Sequence, residues 1–112
     1  MDGEEFQCAK AIDTNKNVRY WIRNVAKHPN SFWLPTSTDK FYPDFVAMLN
    51  DGRILVVEYK GAHLIDSADT REKKQIGDLW QAKSGGKGLF LMAEKVKDGL
   101  NVVEQINALI ER

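Results

Sequence analysis

The chain has 112 residues, 43% apolar and 29% charged, and its 16 basic and 16 acidic side chains cancel to a net charge of zero. That length suits one domain with a single core, and the neutral balance excludes a wholesale basic nucleic-acid binder, leaving any such contact to a local patch. A single cysteine, Cys8, excludes internal disulfides and fits a reducing, cytoplasmic setting, and neither a membrane-spanning run nor a signal peptide is present.

Asp2 to Asp13 reads as a helix with Asp2 as cap and Glu4 and Glu5 in its first turn. Its inward stripe is Glu5, Cys8, Ala9 and Ile12. Thr14 to Asn17 break it. Val18 to Asn24 alternates Val18, Tyr20 and Ile22 against Arg19, Trp21 and Arg23, which is a strand pattern. His28 to Ser31 is a loop, Phe32 to Leu34 a short extended piece ending at Pro35, and Thr36 to Lys40 polar loop. Two strands follow, Tyr42 to Leu49 and Arg53 to Gly61. Asp66 to Lys83 is an amphipathic helix capped by Asp66 or Ser67, with Ile76, Leu79 and Trp80 inward. Ser84 to Gly88 is a turn, and Leu89 to Ala93 a short apolar strand of the buried kind. Asp98 to Arg112 closes the chain as a helix whose apolar face is Leu100, Val103, Ile106, Leu109 and Ile110. Trp21, Trp33 and Trp80 are expected in the core, or at an interface where exposed. The chain opens almost inside a helix and closes as one ends, so residues 1–112 read as one domain excised from a longer protein.

The order helix, three strands, helix, strand, helix predicts an α/β fold, a mixed central sheet flanked by helices on both faces. The strands carrying Glu58 and Leu89 are joined through a helix and should run parallel with a right-handed crossover.

The segment from Phe41 to Gly61 carries the chemistry. Asn50-Asp51-Gly52 is a three-residue hairpin loop with glycine where φ must be positive. Leu49 then faces Arg53, and counting back along both strands sets Asp44 opposite Glu58, with Lys60 on the same face. The neighbouring positions are apolar on both faces, as in strands covered on both sides. Two carboxylates opposed at about 4 Å repel by about 4 kcal/mol at an effective dielectric near 20. A divalent cation reverses that sign, and Mg²⁺ takes one or two carboxylates, filling its other positions with water and phosphate oxygens. Lys60 adds a cation able to orient or deprotonate a water, or to hold developing charge. These residues point to metal-assisted phosphodiester hydrolysis.

Pro43-Asp44 followed by Glu58-Tyr59-Lys60 resembles the PD-(D/E)XK nuclease superfamily, whose restriction-endonuclease-like core has the order αβββαβ. Within it the whole chain is similar to the C-terminal endonuclease domain of type III restriction enzymes and related DEAD/DEAH-box helicase proteins. The likeness is carried by Trp-Ile-Arg-Asn (21–24), Phe-Trp-Leu-Pro (32–35), FYPDF (41–45), VVEYKG (56–61) and Lys-x-x-Ile-Gly (73–77). It implies DNA as substrate, Mg²⁺ (with Mn²⁺ as a substitute) held by Asp44, Glu58 and the Tyr59 carbonyl, and Lys60 as the catalytic lysine. It also implies a further ligand from the first helix: Glu5 matches by its place on the inward stripe, with Glu4 the alternative. A fused or partner helicase/ATPase and a methyltransferase subunit are the implied partners, while no helicase motor lies in this chain.

Other candidates have plainer readings beside them. His63 follows the Glu58 strand and could touch substrate, though a lone histidine there is more often a solvated loop residue. Lys73 and Lys74 lie early in the helix after the site, where DNA contact competes with a solvated helix face. Lys87, in a glycine-rich turn without the P-loop spacing, is expected to join them and Arg71 on the site's side of the sheet. The competing functions are a catalytically silent nuclease-fold module that binds DNA or a subunit, and a metal-dependent phosphohydrolase acting on nucleotides or RNA.

Overall fold

The structure, a computed structural model, describes residues 3–61 and 67–112. Asp2, His63 and Asp66 therefore lie outside the described residues. The first helix, α1, is Gly3–Asp13, and β1 is Val18–Arg23. Two short strands, β2 (Leu34–Pro35) and β3 (Lys40–Phe41), precede the hairpin of β4 (Phe45–Leu49) and β5 (Ile54–Tyr59). Then come α2 (Ala68–Lys83), β6 (Gly88–Ala93), the pair β7 (Val96–Lys97) and β8 (Leu100–Asn101), and α3 (Val102–Ile110).

Four strands form the central sheet in the order β1-β4-β5-β6. The β1/β4 and β4/β5 pairs are antiparallel and β5/β6 is parallel, so the sheet is mixed. Strand periodicity sorts the side chains into two layers. Phe45, Ala47, Leu55, Val57 and Leu91 pack with Cys8 and Ile12 of α1 and Ile106 and Leu109 of α3. Val56, Phe90 and Met92 face the other way and pack with Ile76 and Trp80 of α2 and with Leu34 and Phe41. The hairpin has the expected register: Phe45 faces Val57 and Met48 faces Ile54, closed by Leu49 N–H to the Arg53 carbonyl at 2.9 Å, with Gly52 at φ 91°.

Several boundaries differ from expectation, each for a local reason. The strand expected from Tyr42 begins at Phe45, because Pro43 has no N–H to give the ladder. The polar loop after Pro35 is shorter than expected. Thr36 accepts Asp39 N–H on Oγ1 at 2.9 Å and closes a turn that lets Lys40 and Phe41 pair back on Pro35 and Leu34. The closing helix starts at Val102, not Asp98. Asp98 and Gly99 both have positive φ, 53° and 79°, the signature of a two-residue hairpin turn, and they join β7 to β8. Asn101 then caps α3 in a capping box with Glu104. Val103, expected on the apolar face, is exposed. Leu79 of α2, expected inward, is 57% exposed. Gly77 takes the close approach instead, with the Phe90 ring against its Cα.

The tryptophans divide. Trp21 packs edge-on to Phe45 with ring centroids 5.8 Å apart, and Trp80 meets Phe32 in the same way at 5.5 Å. Trp33 is exposed beneath the Lys40 ammonium, 4.5 Å from its ring centroid. Among the described residues no helix is long and apolar enough to cross a membrane.

Candidate active site

The hairpin ladder stops one pair short of its natural end, and the site is built at that stop. Continued two residues past Phe45 and Val57, to the next hydrogen-bonded pair, the register would set Pro43 against Tyr59, but proline cannot return the second hydrogen bond of such a pair. The two halves of that pair find other partners. Tyr59 N–H donates to Asp44 Oδ2 at 2.8 Å, and the Pro43 carbonyl accepts from Asn24 Nδ2 at 2.8 Å. Asp44 is thereby turned across the hairpin towards the end of β5, where Glu58 and Lys60 lie.

Glu58 is buried, 5% exposed, in strand register with Met92 of β6. Its Oε2 sits 3.0 Å from Lys60 Nζ. Its Oε1 is buried with no hydrogen-bond partner among the described residues. Lys60 extends the parallel ladder by donating its N–H to the Ala93 carbonyl at 2.9 Å, and its side chain is 11% exposed.

The electrostatics follow from two acids sharing one base. Burial, and then the Glu58 charge, raise the Asp44 carboxyl from its ordinary 3.8 to about 7, against the opposing pull of the Tyr59 N–H and Lys60. Among the described residues the base beside the pair is Lys60, committed to Glu58, so the partly dry site keeps a proton on Asp44 up to about pH 7 and carries one uncompensated negative charge above it. A buried acceptor without a donor costs about 1–3 kcal/mol, and more when charged. The orphaned Oε1 and the raised Asp44 are both relieved by a cation placed between the two carboxylates. The residues present thus fit a divalent metal.

The two candidate glutamates of the first helix take different places. Glu4 Oε1 accepts the Tyr59 hydroxyl at 3.2 Å and is exposed, drawn to the Tyr59 side. Glu5 is half-buried one turn before Cys8, whose thiol is pushed up to about 12 by burial and then by the charges of Asp44, Glu5 and Glu58. Glu5 therefore faces the same side as the pair. Among the described residues no three His, Cys, Asp or Glu side chains gather as a metal-holding group.

The candidate DNA contacts separate. Lys73 pairs with Asp69 at 3.0 Å and lies over the Phe41 ring, and Lys74 pairs with Asp78 at 2.6 Å. Both are tied one helical turn along α2. Lys87 is not on the site's side of the sheet. Its carbonyl accepts Ile54 N–H at 2.8 Å, which puts the whole 84–88 turn at the amino end of β5. Glu58 is four residues further on, roughly 13 Å at the usual strand rise. The reason is the crossover: a helix joining parallel strands must return the chain to the end from which the first strand started.

Two polar residues that sequence reasoning passed over prove structural to this end of the sheet. Asn24, the last residue of the Trp-Ile-Arg-Asn stretch, is buried just beyond β1, and nothing in the alternating strand that it closes assigned it this role. Gln105 of α3 is also buried. It accepts Glu94 N–H at 3.1 Å and donates to the Glu94 carbonyl at 2.7 Å, holding the residue that follows Ala93 at the same edge as Lys60. Comparison of the chain with protein families, with curated proteins and with solved structures returns no match.

Proposed function

We propose that the chain is a Mg²⁺-dependent DNA endonuclease domain of the PD-(D/E)XK kind. The observation that carries this reading is the pair of half-buried Asp44 and buried Glu58 served by one lysine, with Glu58 Oε1 left without a partner among the described residues. Asp44 and Glu58 would hold the metal, and the resemblance to the superfamily adds the Tyr59 carbonyl as a further protein ligand. The bound metal supplies Lewis-acid polarisation of the phosphate and a more acidic water. Lys60 Nζ stands beside Glu58 Oε2, placed to orient the attacking water or to hold the charge that develops on the phosphate oxygens. The acidic site repels a polyanion, so the domain holds DNA weakly and without sequence preference, and a fused or partner helicase brings it to its target.

Plasmid nicking in Mg²⁺ or Mn²⁺, native chain against Asp44→Ala, tests this. Metal-dependent cleavage lost in the variant is the expected result, and no cleavage by the native chain would sink the reading. The closed Lys60–Glu58 ion pair favours a second one, a silent nuclease-fold module that binds DNA or a subunit. That outcome would show as DNA binding in the absence of cleavage under every metal.

A further inference from the structure

We infer that Asn24 is a positioning residue for Asp44, acting through the main chain of the Pro43–Asp44 step. The inference rests on the proposed reading of Asp44 as a metal ligand. Asp44 lies outside the sheet ladder: the last β1/β4 pair is Arg23 with Phe45, and β4 begins at Phe45. What holds it is Asn24. Its N–H donates to the Asp44 carbonyl at 2.8 Å, and its Nδ2 donates to the Pro43 carbonyl at 2.8 Å. The second Nδ2 hydrogen goes to the Phe32 carbonyl at 2.8 Å, and Oδ1 accepts Phe32 N–H at 3.0 Å.

One buried amide thus ties two consecutive carbonyls, on the residue that bears the carboxylate and the one before it, to the loop at Phe32. Every hydrogen-bonding group of the Asn24 side chain is used. The residue type is specific, because the site demands two donors and one acceptor at the reach of a single methylene. Aspartate matches the shape but brings no donor, and alanine leaves Phe32 and Pro43 with unmet groups. With Pro43 unable to anchor itself in the ladder, the direction of the Asp44 side chain towards Tyr59 N–H depends on this clamp.

The test measures Mn²⁺ binding by the native chain, Asn24→Ala, Asn24→Ser and Leu109→Ala, alongside thermal melting of each. Leu109 is a buried α3 residue next to Ile110, whose carbonyl Arg53 holds at the opposite end of β5, so its truncation weakens the fold away from the site. If Asn24 positions Asp44, both Asn24 variants need about 10- to 100-fold more Mn²⁺ for half-saturation, as for other residues that orient metal ligands. Leu109→Ala, melting comparably early, keeps the native midpoint. Asn24 variants that melt early with the native Mn²⁺ midpoint overturn the inference, and so does failure of both to fold, which makes Asn24 a fold-holding residue only. A native chain that binds no Mn²⁺ sinks the metal reading itself, and it does so before any substitution is made.

Discussion

Asp44 Oδ2 accepts the main-chain N–H of Tyr59 at 2.8 Å, taking the place that a backbone carbonyl holds at every other step of the hairpin. A side chain has replaced main chain at the one rung where proline prevents a regular pair. The replacement brings a carboxylate to the buried end of β5, next to a second carboxylate. A strand end that could have been a neutral rung is instead an acidic pocket.

Removing the Asp44 charge should therefore relieve the metal-free protein. The folded state keeps the Asp44 proton up to about pH 7, while the unfolded chain releases it near the ordinary 3.8. Between these values the folded state binds the extra proton, so native stability falls as pH rises from about 4 to 7. Asp44→Asn keeps an oxygen for the Tyr59 N–H and should lose that slope, being as stable as the native chain at pH 4.5 and more stable at pH 7.5, with cleavage abolished. Urea midpoints at the two pH values decide it. A variant less stable than the native chain at pH 7.5 would mean that Asp44 is a structural partner.

Lys60 is expected to behave oppositely. Its ion pair with Glu58 is buried on both sides, and removing one partner of such a pair costs about 3–5 kcal/mol. Lys60→Met should be strongly destabilised, and adding Glu58→Gln should recover most of the loss by removing the stranded charge. A double-mutant cycle by denaturation gives the coupling. Independent, additive effects would show that the pair is not closed in solution.

Gly77 is required by packing. A Cβ there would run into the Phe90 ring, and so into the seam between α2 and β6. Although alanine favours a helix by about 1 kcal/mol over glycine, overpacking costs about 1–3 kcal/mol and should win. Gly77→Ala should melt earlier than the native chain, and a rise in melting temperature would show that Phe90 has room to move.

The DNA-binding footprint should exclude the 84–88 turn. Lys87 sits at the amino end of β5, so Lys87→Gln should leave both DNA affinity and its salt dependence unchanged. With Lys60, Arg71, Lys73 and Lys74 as the remaining candidate contacts, the slope of log K against log salt should be about −4. Anisotropy titrations on a random duplex at several salt concentrations test both statements. A steeper slope that flattens in Lys87→Gln would return the turn to the interface.

What the amino-acid sequence by itself determined was whatever depends on counting along one or two strands. The Asn50-Asp51-Gly52 loop sets the register, and a period of two then places Val56 in one layer and Phe45, Ala47, Leu55 and Val57 in the other. The same count brings Asp44 to Glu58 and aligns Lys60 with them. The parallel β5/β6 pair follows from the helix between the strands. The 98–99 turn was also legible, since Asp-Gly is a hairpin signal, but the apolar spacing around it reads equally well as the start of a helix. Only the tertiary structure decided which residues meet across elements distant in sequence. That Asn24 clamps Pro43, that Gly77 rather than Leu79 faces Phe90, that Lys60 closes on Glu58 rather than on Asp44, and that Lys87 lies at the other end of the sheet are facts of this kind. Periodicity is a property of one backbone segment, whereas burial and pairing depend on where the other segments come to rest, and no spacing along the chain encodes that position.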